Sequence, residues 1–166
     1  IDPAFEHVAA ADLPIVDSGN ARARVIMGSL WGASAPTTTY AGTIYADIEL
    51  ASGASVPIDA EADERAIYLA MGQASIDGWE LEPQTLYVLR PGIAATLRSS
   101  SGGRVMLCGG GAFTTPRHVW WNFVSCDRDR INQAKEDWKA GLFPTVPGDD
   151  KEFIPIPEVP KTVSYP

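Results

Sequence analysis

Two histidines (His7, His118), two cysteines (Cys108, Cys126) and the acidic run Asp59, Glu61, Asp63 and Glu64 are the residues of this 166-residue chain whose types could bind a metal or move a proton. Their spacing does not assemble a site. A metal needs several donors converging on one point, and His7 and His118 are too far apart to form a local pair. Arg117 stands next to His118 and makes a cation less welcome there. Each histidine therefore reads as a surface or hydrogen-bonded side chain. The acidic run has no ordered ligand ladder around a central glycine, so it reads as a solvated loop rather than a calcium loop. Cys108 follows Val105, Met106 and Leu107 and reads as a small buried hydrophobe. Nothing points to an oxidising compartment, so both thiols are expected to be free. The glycine-rich stretches 99–103 and 109–111 lack the following helix and lysine of a phosphate loop. Ser, His and Asp are all present, but without a nucleophile elbow.

Bulk properties narrow the class further. A chain of this length can bury about 70% of its unfolded surface without a disulfide or metal. Thirteen prolines and fifteen glycines imply many turns and favour strands over a helical bundle. The net charge of −8 opposes binding to a phosphate backbone. No segment reaches the roughly 20 apolar residues of a membrane span, and no signal peptide is visible, so the cytoplasm is the expected compartment. The first residue is Ile1 rather than methionine, as in a trimmed or partial product.

Short strands dominate the pattern. Residues 21–30 alternate, with Arg22 and Arg24 against Ala23, Val25 and Met27. Residues 44–50 place Ile44, Ala46, Ile48 and Leu50 inward and Tyr45, Asp47 and Glu49 outward. Further strands are expected over 66–71, 85–89, 94–98, 104–108 and 119–124, with an Asp77-Gly78 hairpin between the first two. The fold class is therefore all-β, a sandwich or jelly roll. One helix is expected over about 126–140, with Ser125 as N-cap, a buried stripe of Ile131, Ala134 and Trp138, and Gly141 just past its end. Residues 1–20 read as an arm. Residues 144–166 hold six prolines and read as an extended strap.

Trp120, Trp121 and Phe123 lie on consecutive faces of the expected strand over 119–124. Two readings stay open for them: packing beneath the helix beside Trp138, or a contact surface for another domain.

The glycine frame is the most telling pattern. Gly53, Gly72 and the Arg90-Pro91-Gly92 turn are spaced like the two motifs of metal-binding cupins. In those proteins a His-x-His pair and a Glu seven residues before the second glycine hold the metal, and Pro-x-Gly-x-x-His adds a ligand. Here the first region reads Pro57-Ile58-Asp59-Ala60-Glu61-Ala62, Arg65 stands seven before Gly72, and Ala95 stands three after Gly92. The frame is kept and the donors are gone. The stretches 117–125 (Arg-His-Val-Trp-Trp-Asn-Phe-Val-Ser) and 133–143 closely resemble the C-terminal half of pirins, two-domain proteins of the cupin superfamily.

That resemblance implies a cupin-type jelly-roll barrel with one C-terminal helix. It places an N-terminal arm at 1–20, a metal-free cupin barrel at 21–125, and the helix and Pro-rich strap of the same domain at 126–166. It implies no catalytic, cofactor or metal residue in this chain. By resemblance, iron would sit in an N-terminal cupin acting like a quercetin 2,3-dioxygenase, and this chain alone would not be an enzyme. The expected partner is that N-terminal cupin, touched by Phe5, His7, Trp120, Trp121 and Phe123, with self-association through exposed apolar surface and no nucleic acid or membrane. Three functions follow: support of a catalytic half, a regulatory module acting through protein contacts, or binding of a small ligand in the degenerate cup, near residues such as Tyr45, Tyr68 or Arg98.

Overall fold

The structure, a computed structural model, describes residues 2, 4–157 and 162–164. The remainder of the expected arm (residues 1 and 3) and of the strap (158–161 and 165–166) lies outside the described residues. The chain divides into two compact units, Glu6–Ala112 and Phe113–Pro166 with Ile1–Phe5.

The first unit is built from twelve strands: β1 (Ile15–Ser18), β2 (Ala21–Met27), β3 (Ser29–Leu30), β4 (Ala33–Ser34), β5 (Thr43–Leu50), β6 (Ala54–Ile58), β7 (Glu64–Gly72), β8 (Ser75–Ile76), β9 (Trp79–Glu80), β10 (Leu86–Val88), β11 (Ala95–Ser99) and β12 (Gly103–Gly110). Six of them form one antiparallel sheet in the order β1-β2-β5-β12-β7-β10, and four form a second in the order β6-β11-β8-β9. The non-consecutive neighbours are those of a jelly roll, as the strand spacing predicts. Period-two alternation puts Ala23, Val25, Ala46, Ile48, Ile67, Leu69, Val105 and Leu107 on the inner face of the large sheet. Val56, Ile58 and Leu97 of the small sheet join them in one buried cluster.

Turn chemistry fixes several connections. Asp77 and Gly78 both take positive φ, 49° and 87°, and close the β8–β9 hairpin where the Asp-Gly pair predicts one. The extended segment Ile15–Ser18, read as part of the arm, hydrogen-bonds to β2 as the sheet's edge strand. Two further differences have local causes. Strand β6 was not expected, because Pro57 interrupts its apolar pattern. Its Ala54, Val56 and Ile58 are nonetheless buried, and it pairs with β11. Strand β12 continues through Gly109 and Gly110 instead of stopping there. Glycine is needed because a Cβ on Gly109 would overlap the Glu64 carbonyl oxygen of neighbouring β7.

The second unit holds β13 (His118–Trp120), β14 (Phe123–Ser125), helix α1 (Arg128–Lys139) and β15 (Thr162–Ser164). The single strand expected over 119–124 is in fact a hairpin: Trp120 pairs with Phe123, and Trp121 takes a positive φ of 49° in the turn. Strand β15 pairs with the other edge of β13. The helix is capped by Asp127 rather than Ser125. The Asp127 carboxylate accepts from the Asp129 amide at 2.8 Å, while the Ser125 hydroxyl accepts from the Asp127 amide at 3.0 Å. At the other end Gly141 has φ 68°. The amide of Gly141 donates to the Trp138 carbonyl and that of Leu142 to the Asp137 carbonyl, a Schellman closure.

Candidate functional site

The positions that match cupin ligands come together at one end of the first unit. Arg65 alternates in phase with Ile67 and Leu69 along β7, so its side chain enters the interior, where it is only 3% exposed. Its guanidinium donates to three backbone carbonyls: that of Asp59 in the loop after β6, and those of Arg90 (2.7 Å) and Ile93 (2.8 Å) in the turn before β11. No described carboxylate lies within ion-pair distance of it, and its Nε has no hydrogen-bond partner. The Leu89 amide in turn donates to the Arg65 carbonyl at 2.8 Å, fastening the same turn from the backbone side. One side chain thus joins the loop after β6 to the turn before β11.

Beside Arg65 opens a cavity of about 350 Å³ between β5, the 59–63 loop and β12, with Ile44, Ile58 and Leu107 on its walls and Asp59 and Asp63 at its edge. Both carboxylates are engaged locally. Asp59 accepts from the Glu61 amide at 3.1 Å, and Asp63 from the Ala112 amide at 3.1 Å. Iron does not fit this donor set. The Glu-ligand position carries a fixed guanidinium, Ala95 offers no donor, and no group of three or more His, Cys, Asp or Glu converges among the described residues. Tyr45, Tyr68 and Arg98 do not line this cavity. Tyr45 and Tyr68 lie on the outer face of the large sheet, and Arg98 is exposed on β11.

His7 is exposed and Phe5 is 73% exposed. His118 is half-buried in β13. Trp120 is buried, while Trp121 and Phe123 are half-buried in an aromatic cluster of the second unit. In that cluster Trp138 meets Trp121 at 5.3 Å, Phe143 at 5.3 Å and Phe153 at 5.6 Å between ring centroids. The Trp138 indole also donates to the Ile154 carbonyl at 2.9 Å, which fixes the strap segment 153–154 on the helix. Cys108 and Cys126 are both free thiols, and burial raises the pKa of Cys108.

Two interactions escaped sequence reading. Asp47, expected to face solvent, is 7% exposed and forms a two-point ion pair with Arg104 across neighbouring strands, at 2.8 and 2.5 Å. The carbonyl bonds of Arg65 are the other. The only signal for them is phase, since an arginine in register with buried apolar residues of one strand must find partners inside.

Comparison with known proteins agrees with this geometry. The family description "Pirin C-terminal cupin domain" matches residues 45–144. A "Pirin-like protein" of Caulobacter vibrioides is 41% identical over 159 residues, which cover 95% of this chain and 55% of that protein. A crystal structure of quercetin 2,3-dioxygenase from Acinetobacter baumannii superposes with a TM-score of 0.83 at 27% identity, over 98% of this chain and 55% of that one. A second structure under the same description gives 0.74 at 21% identity, over 83% and 50% of the two chains, and supports the fold alone. The chain thus spans about half the length of the relatives it matches.

Proposed function

This chain belongs to the pirin family as its C-terminal cupin domain, and from that premise we propose that it is the metal-free half of a two-barrel protein, supporting an iron-holding N-terminal cupin. The observation that carries this reading is Arg65. A guanidinium in the Glu-ligand position, bonded to both motif loops, is a finished structural substitute and leaves iron chemistry to another domain. The likeness to quercetin 2,3-dioxygenase, over about half of that enzyme, supports assigning dioxygenase-type chemistry to the longer protein. In this reading the present barrel binds no substrate, and its role is to complete and shield its partner.

The test compares the 166-residue chain with a longer product that adds an N-terminal cupin. After incubation with ferrous iron and dialysis, the longer protein is expected to keep about one iron per chain and the short chain none. Only the longer protein should consume dioxygen with quercetin. One equivalent of iron retained by the short chain, or quercetin turnover by it, would overturn the proposal.

A further inference from the structure

The outer face of the large sheet carries a balanced pattern of opposite charges. Strand registers arrange its side chains in rows. One row reads Asp17, Arg22, Glu49, Arg104, Met71 from β1 across to β7, and the next reads Ile15, Arg24, Asp47, Met106, Tyr68, Leu86 from β1 to β10. These rows hold three acids and three arginines, so their net charge is zero on a chain whose net charge is −8. Two copies, each carrying a net negative charge, can approach one another across such rows without like-charge repulsion. The face is also apolar at both edges: Ile15 is 53% exposed, Leu86 55% and Val88 79%.

We propose that this face is homotypic: a second copy of this chain packs on it about a two-fold axis parallel to the strands, between β5 and β12. Such an axis makes the pattern self-complementary. Glu49 meets Arg104 of the second copy, Ile15 meets Leu86, and Arg24 meets the ring of Tyr68, each contact occurring twice. Glu49 makes no side-chain ion pair of its own among the described residues and is free to take this one. Six strands about 4.8 Å apart make the face roughly 24 Å wide.

The test is sedimentation equilibrium of the 166-residue chain and three variants, each checked for native circular dichroism. Wild type is expected to be a monomer–dimer mixture across the micromolar range. Ile15→Lys, Leu86→Glu and Glu49→Lys lie on exposed positions that leave the core intact, and each should weaken self-association by about tenfold or more. Mixing the Ile15→Lys and Leu86→Glu chains should restore dimers. In the heterodimer the introduced ammonium meets the introduced carboxylate at one end, and native Leu86 meets native Ile15 at the other. A wild-type chain that stays monomeric throughout, as when this face is reserved for another domain, overturns the proposal. So does a dimer that none of the three variants weakens, which would place the contact elsewhere, for instance on the aromatic hairpin. Failure of the mixture to recover overturns the two-fold register.

Discussion

Arg65 concentrates the energetics of the cup in one side chain. Three carbonyls from two loops accept from it, and truncation removes that shared donor from all of them. These loop residues can take water in its place, so Arg65→Met is expected to lose about 1–3 kcal/mol in chemical denaturation. Arg65→Lys keeps the charge but not the planar fork and should fall between the two. A Met variant that unfolds at the wild-type midpoint would remove the clamp from the account. Cys108 supplies a pH signature. Burial disfavours its thiolate, so its folded pKa lies above the ordinary thiol value. In the unfolded chain the thiol ionises first, as pH passes about 8.5. Its contribution is therefore whole below that pH and fades as pH rises through the folded value. Unfolding midpoints measured on both sides of that range should drop with rising pH, and drop less in Cys108→Ala.

At the scale of elements, the helix is held by its ends as much as by its stripe. Asp127→Ala removes the cap to the Asp129 amide, a loss of about 1 kcal/mol that thermal unfolding can resolve. Ser125→Ala should cost less, because that hydroxyl bonds outside the helix. Much of this scale was legible in the sequence wherever the determinants are local. The Asp77-Gly78 hairpin, the alternation of β5 and the Gly141 stop all depend on neighbours within a few residues. The fold class and family frame were legible too, through Gly53, Gly72 and the Arg90-Pro91-Gly92 turn. The elements that were missed depend on distant partners. Strand β6 is a strand because β11 lies beside it, and Thr162–Ser164 because β13 does. The Trp120–Phe123 segment reads as one strand by composition, and only the positive φ of Trp121 turns it into a hairpin. In the candidate site, the lost ligands could be read directly. What replaced them could not, since the acceptors of Arg65 are backbone atoms that carry no residue identity.

For the whole molecule, the buried cluster of the barrel is drawn entirely from residues 21–107, inside the first compact unit. A protein trimmed to residues 6–112 is therefore expected to keep cooperative unfolding and a strand-type circular dichroism spectrum. Loss of a sigmoidal transition would show that the barrel needs the second unit to fold. Metal chelators should leave the melting temperature of the 166-residue chain unchanged, because its two motif loops are tied by a side chain. That tie also changes how the barrel meets the cell. A guanidinium is made with the polypeptide and is not exchanged for a competing ion. Under the proposed function, the mouth of this barrel takes its shape on folding, without a loading step.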